Sequence, residues 1–284
     1  MMKKIELKKF SSEIGINSKL LDMLILKELN ITKSSLFLID EIDDKYIENI
    51  KLNLEKLKNG VPIEYIINNA EFYNLDFYVD NRVLIPRNDT EIMVDNAIDS
   101  IFELELDTLI DIGTGSSCIA ISIMENTKNI NHCFVGDISE KALEVSKKNI
   151  NKYQLDKKIK QIHSNLITEF LSSNSYDIGK NVIITANLPY IKNGDHENMD
   201  IETILYEPEL ALYGGKETGF ELYEQLLREC IQFKKIQHLN KLVLFIEIGF
   251  DQYDYSYDYL KNLNLQFEYF KDNNGINRCI KIVF

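Results

Sequence analysis

Paired cysteines, clustered histidines and long apolar runs are all missing from this chain of 284 residues. Its four cysteines, Cys118, Cys133, Cys230 and Cys279, lie far apart with no CxxC pair, which argues against both a zinc site and a disulfide framework. His132, His163, His196 and His238 form no HExxH arrangement, so no metal is expected. The basic start MMKKIELKKF lacks the apolar stretch and small-residue cleavage site of a secretory signal. The richest apolar stretch near it, LLDMLILKEL, is broken by Asp22 and Lys27 and is too short for a bilayer span. The expectation is a cytoplasmic protein without a membrane partner. Positive charge is also scarce, with 32 Lys and Arg against 45 Asp and Glu and a formal net charge of −13. That balance repels a phosphate backbone, so a stable nucleic-acid complex is not expected and a protein or peptide partner fits better.

What is present reads as an ordinary globular protein: 45% hydrophobic and 27% charged residues, with no repeat, low-complexity tract or Pro-rich linker. The length leaves room for a substantial core and two domains. The first 70 residues show helical periodicity. Leu21, Leu24, Ile25 and Leu29 share one face of a helix predicted over 18–29, and Ile47, Ile50, Leu54 and Leu57 share another that stops before Gly60 and Pro62. Residues 71–84 begin with EFYNLDFYVD, whose apolar and polar alternation predicts a connecting hairpin.

From 85 to 284 helices and strands alternate. Predicted strands are DTLIDIG, NHCFVGD, IKQIH, NVIITA and KLVLFIEIG, with helices between them, followed by LQFEYF and NRCIKIVF joined through DNNGI. This order predicts an α/β domain with a mainly parallel sheet, helices on both faces and an antiparallel last strand.

DIGTGSS, residues 111–117, ends the first of these strands and opens its helix. Gly113 and Gly115 suit either a tight turn or a backbone that lets a ligand approach the helix amides. Asp137 ends the second strand, where an open α/β sheet places the carboxylate that binds a ribose; capping the helix near Ser139 is the competing role. The run GTGSSC has Cys118 where the dinucleotide fingerprint places its third glycine, which argues against NAD. In TANLPYI, Asn187 and Pro189 make an ordinary turn, but turn chemistry gives no reason for Tyr190. In RVLIPRNDTE, Asp89 as a helix cap and an Arg87–Glu91 ion pair compete with a role as a cleft wall.

Together these stretches resemble the HemK/PrmC family, the glutamine methyltransferases of peptide-chain release factors. The likeness runs through GVPIEYI, EFYNLDFYVD, RVLIPRNDTE, DIGTGSS, GDIS, NLPYI, EPELALYGG and LFIEIG in order. It implies a Rossmann-like seven-stranded methyltransferase domain using S-adenosylmethionine, with a helical N-terminal domain that helps bind the GGQ-containing domain of the release factor. By that resemblance the cofactor loop falls on Gly113, Thr114, Gly115, Ser116 and Ser117, the ribose acid on Asp137, and the adenine side on Asn165 and Leu166. The catalytic loop falls on Asn187, Leu188, Pro189 and Tyr190, with Asn187 also beside the cofactor and Thr90 near its methionine part. The chain departs from the family pattern in four places: Ser117 replaces a glycine, Asn88 and Leu188 replace prolines, and Asn165 replaces an acid. Ser117 is expected to crowd the cofactor's methionine part. Competing functions are methylation of an adenine amino group in DNA or RNA, methylation of a ribosomal-protein glutamine, and a noncatalytic binding module.

Overall fold

The computed structural model describes residues 2–172, 176–195 and 201–284. The chain divides into two compact units, one of Met1–Asn69 with Asp200–Tyr206 and one of Ala70–Met199 with Glu207–Phe284. Among the described residues no helix is long and apolar enough to cross a membrane.

The first unit is helical. Its main helices are α1 (Lys4–Glu13), α2 (Ser18–Leu29) and α3 (Asp44–Lys58). Asn17 and Asp43 cap α2 and α3 with side-chain oxygens, and Asn30 ends α2 in the left-handed conformation that a C-terminal cap favours. Leu7, Leu21, Leu24, Ile25, Ile50 and Leu54 form its buried core. The α1 helix had no clear signal in the sequence, because only Leu7 and Ser11 of its ten residues are buried. Residues 201–206 join this unit, where the Tyr206 hydroxyl donates to the Asn59 carbonyl at 2.8 Å.

The second unit opens with a hairpin, Ala70–Phe72 against Leu75–Phe77. Tyr73 and Asn74 turn the chain at φ 51° and 58°, both left-handed, which matches the twist of the two strands. The turn interrupts the expected alternation, so Phe72 and Phe77 are both buried. A seven-stranded sheet follows: β1 (Thr108–Ile112), β2 (His132–Asp137), β3 (Ile159–His163), β4 (Asn181–Ala186), β5 (Lys241–Glu247), β6 (Gln266–Lys271) and β7 (Asn277–Val283). Their order is β6-β7-β5-β4-β1-β2-β3, and only β7 runs antiparallel to its neighbours. The chain is thus an α/β protein with the Rossmann-like arrangement.

Side chains alternate across this sheet. Ile110, Ile112, Val182, Ile184, Leu244 and Ile246 face a core with helices α7 (Glu221–Ile236) and α8 (Tyr253–Asn262). Leu109, Ile183, Val243 and Phe245 face the other core, built with α4 (Glu91–Leu104), α5 (Cys118–Asn126) and α6 (Glu140–Lys152). The predicted start of α5 near Ser116 shifts to Cys118 because Gly113, Gly115 and Ser117 all take left-handed conformations. All four cysteines are buried and free.

The register makes the site. Ile112 pairs with Gly136 on one side and with Ala186 on the other, and Ala186 pairs with Ile246. The carboxyl ends of β2, β1, β4 and β5 are therefore level. The chain order reverses between β1 and β4, which is where open α/β sheets leave a crevice.

Asn149, fully buried on α6, stitches the crevice wall in place. Its Oδ1 accepts from the Tyr78 N–H at 2.7 Å, while Nδ2 donates to the carbonyls of Tyr78 at 3.0 Å and Ser116 at 2.9 Å. One side chain thus replaces a strand neighbour for Tyr78. Asn149→Ala leaves those three groups unpaired and is expected to lower the unfolding free energy by about 2 to 4 kcal/mol. A denaturation midpoint, with a wild-type m-value, checks this.

Candidate active site

The glycine loop is held from beneath and from both sides. The Thr114 N–H donates to the Gly136 carbonyl at 3.0 Å, and the Gly115 N–H donates to Asp137 Oδ2 at 3.0 Å. A Cβ on Gly113 would meet Leu188 Cδ2 at 2.8 Å, so that side chain would have to shift, and the φ of +67° favours glycine at this position. Under the loop, Asp111 is almost fully buried and accepts the Thr114 hydroxyl at 2.5 Å and the Thr185 hydroxyl at 2.8 Å. Burial raises its pKa to about 6 against the pull of those hydroxyls.

Asp137 lies at the end of β2 with its other oxygen accepting from the Ser139 N–H at 2.9 Å. Burial raises its pKa, and the Ser139 and Gly115 amides oppose the rise. The capping role expected as its alternative belongs to Ser139, whose hydroxyl accepts from the Ala142 N–H. Asp137 thus borders the crevice, bonded to the glycine loop.

The crevice is a cavity of about 210 Å³. Gly113, Thr114, Gly115, Ser116, Asp137, Asn165, Leu166, Asn187, Leu188 and Pro189 all line it, so the structure brings together ten of the site residues expected from sequence. Thr90 and Arg87 stand on its wall too, with Pro208, Leu210 and Ala211.

Ser117 and Tyr190 do not line it. Ser117 has no exposed surface; its hydroxyl lies 2.6 Å from that of Ser146 and 3.0 Å from that of Thr114. The expected crowding of the cofactor by Ser117 is therefore corrected: the side chain points into the protein. The Tyr190 ring packs against the apolar core, and its hydroxyl donates to Glu247 Oε1 at 3.2 Å. Burial and the Glu247 charge push the Tyr190 pKa well up, so it stays a neutral donor.

The Leu188 position shows how a leucine stands in for a proline. Leucine has the N–H that proline lacks, and that N–H donates to the Tyr223 hydroxyl at 3.0 Å. The same hydroxyl donates back to the Leu188 carbonyl at 3.2 Å. Beyond it the loop needs close backbone approach: a Cβ on Gly214 would sit 2.1 Å from the Pro189 carbonyl oxygen, and one on Gly219 would sit 2.1 Å from that of Tyr190.

The expected Arg87–Glu91 ion pair is absent. Arg87 Nη2 bonds Glu207 Oε1 at 2.5 Å, and Glu91 instead accepts from the Tyr73 N–H at 2.7 Å. Nor does Asp89 cap a helix; it lies 3.6 Å from Arg278. Three functional neighbours were missed in the sequence. Glu247 was flagged only as part of LFIEIG, although an acid inside an apolar strand is itself a signal. Tyr223 and Asn149 carried none. His196 lies outside the described residues; among those described, no cluster of three His, Cys, Asp or Glu could hold a metal.

The sequence pattern of the methyltransferase small domain matches residues 90–215. A release factor glutamine methyltransferase of Dictyoglomus turgidum is 30% identical over 93% of this chain and 90% of its own length. This chain belongs to the release factor glutamine methyltransferase family. A bifunctional methyltransferase of Rickettsia prowazekii is 33% identical over 95% of this chain but only 54% of its own length, so the chain spans about half of such relatives. The human METTL16 catalytic domain, solved in complex with an RNA hairpin of the MAT2A 3′UTR, has a TM-score of 0.55 at 15% identity over 75% of this chain and 76% of its own. At that identity the likeness is one of fold.

The cofactor of the family fold is S-adenosylmethionine. The residues present fit it: the glycine loop at Gly113 and Gly115 on the cavity wall, a carboxylate at Asp137 and the half-exposed apolar Ile138 beside it.

Asp111 carries a testable pH dependence. Its folded-state pKa is raised, so its contribution to stability is full below about pH 4 and is lost as pH rises through about 6. Between pH 4 and pH 7 the wild type is expected to lose about 2 kcal/mol relative to Asp111→Asn, which cannot ionise. Unfolding free energies of both proteins at pH 4 and pH 7 measure the difference.

Proposed function

We propose that this chain transfers a methyl group from S-adenosylmethionine to the side-chain nitrogen of the glutamine in the GGQ motif of peptide-chain release factors, in the cytoplasm. The carrying observation is Asn187: it lines the cavity beside the glycine loop, with its Nδ2 donating to Thr90 Oγ1 at 3.2 Å. Its Oδ1 is left to accept from a substrate. Family membership supports the choice of glutamine, and a net charge of −13 favours a protein acceptor over a nucleic acid.

The bound cofactor supplies an electrophilic methyl on a sulfonium. Gly113 and Gly115 would let it approach the backbone, Asp137 would accept from its ribose hydroxyls, and Asn165 would lie on its adenine side. A carboxamide nitrogen is a weak nucleophile because its lone pair is delocalised into the carbonyl. The chain therefore has to position it, an effect worth up to about 7 to 11 kcal/mol in well-oriented models.

Asn187 Oδ1 accepts one amide hydrogen. The Leu188 carbonyl accepts the other through the lone pair that Tyr223 leaves, since a carbonyl oxygen has two. These acceptors would turn the nitrogen lone pair towards the methyl and stabilise the positive charge that grows on nitrogen; as the carbon–nitrogen bond forms the carbon–sulfur bond breaks, sulfur leaves as a neutral thioether, and the nitrogen gives up one proton to solvent. Tyr190 acts from behind the loop, holding its turn through Glu247.

The test is transfer of labelled methyl to a purified release factor, with the modified residue identified by mass spectrometry. Label on the GGQ glutamine is expected; label on a ribosomal-protein glutamine or on an adenine, but not there, would refute the proposal. Asn187→Ala is expected to lower kcat roughly 100-fold or more with the cofactor Kd changed less than about threefold.

A further inference from the structure

Glu247 ends β5, one residue beyond the Ile246–Ala186 pair, and so lies beside the position of Asn187. It is 2% exposed, and the catalytic reading above uses it only as the anchor of Tyr190. Two hydroxyls donate to it: Thr90 to Oε2 at 2.5 Å and Tyr190 to Oε1 at 3.2 Å. Thr90, also buried, is the residue immediately before α4, and its oxygen is the acceptor for Asn187 Nδ2.

A hydroxyl has one proton. Thr90 commits that proton to Glu247, so only lone pairs face Asn187. The end of the Asn187 carboxamide that meets Thr90 must therefore be its NH2. No described group donates to the other end, Oδ1, and the residue borders the cavity.

We propose that Glu247 and Thr90 are positioning residues which fix the polarity of the Asn187 carboxamide, so that the site presents a hydrogen-bond acceptor to a primary amide. The inference rests on the function proposed above. An asparagine amide has two orientations of similar shape, related by a half-turn of its terminal torsion. In the wrong one, its NH2 would face the substrate NH2, donor against donor. The Glu247–Thr90 relay makes that orientation costly, because Oδ1 would then face the lone pairs of Thr90, acceptor against acceptor, unless the Thr90 proton turned to Oδ1 and the buried carboxylate lost a donor. Burial raises the Glu247 pKa, while the Thr90 hydroxyl and the Arg278 guanidinium favour its charged form.

A double-mutant cycle on the full chain separates polarity from mere support, read as kcat for methylation of a whole release factor with cofactor Kd by calorimetry. Glu247→Leu frees the Thr90 hydroxyl to donate into Asn187 Oδ1, which reverses the amide; kcat is expected to fall roughly 100-fold with cofactor Kd held within about threefold. Thr90→Val only releases the amide, costing roughly tenfold, and Thr90→Ser, which keeps the hydroxyl, recovers most of that loss. The double variant is expected to be faster than Glu247→Leu alone, because no misdirected donor remains. A double variant no faster than Glu247→Leu overturns the inference. If Glu247→Leu loses cofactor binding altogether, the comparison of Thr90→Val with Thr90→Ser decides, and equal kcat values overturn it. A wild type that leaves the release factor unlabelled removes the proposed function and this inference together. A labelling wild type with an indifferent Thr90→Val removes the inference alone.

Discussion

Glu247 and Asp111 are carboxyl groups buried on the same face of the sheet, and burial obliges each to find hydrogen-bond donors. The donors come from different parts of the chain: Thr90 and Tyr190 for Glu247, Thr114 and Thr185 for Asp111. Three of these four bonds pin a segment that lines or backs the cavity, and the fourth ties Asp111 to Thr185 within β4. Asp111 holds the glycine loop through Thr114, and Glu247 holds both the segment before α4 and the loop after β4. The two acids convert the even ends of four strands into fixed positions for three separate loops.

Backbone contact does the remaining work. Leu188 lies against Gly113 closely enough that a Cβ there would displace its side chain, and the carbonyls of Pro189 and Tyr190 press on Gly214 and Gly219. Those glycines serve the loop after β4 from a distant stretch of sequence. The loss of a proline at 188 is balanced locally, since the N–H gained with leucine is taken up by Tyr223. A fixed φ has been replaced by a hydrogen bond, and the carbonyl next to it keeps its place.

Much of the architecture was legible because the chain obeys simple periodicities. The helix read over 18–29 is α2, Ser18–Leu29, and the strand NVIITA is β4, Asn181–Ala186. The antiparallel last strand followed from the DNNGI turn and is found in β7. Where periodicity was weak the reading was poorer. Helix α1 buries too little to show a stripe, and the left-handed turn at Tyr73 and Asn74 placed two phenylalanines on one buried side.

Local sequence determined the glycine turn, the acid ending β2 and the Asn-Leu-Pro-Tyr exit from β4, because each depends on residues within a few positions of one another. It could not determine which way a side chain turns once distant elements meet. Only the tertiary structure decided that Arg87 pairs with Glu207 rather than with Glu91, and that Ser117 faces Ser146 instead of the cavity. It decided likewise that Thr90 stands between Asn187 and Glu247, residues 97 and 157 positions away from it. Hydrogen-bond direction at a buried group depends on which donors and acceptors packing brings within about 3 Å, and spacing along the chain carries no record of that.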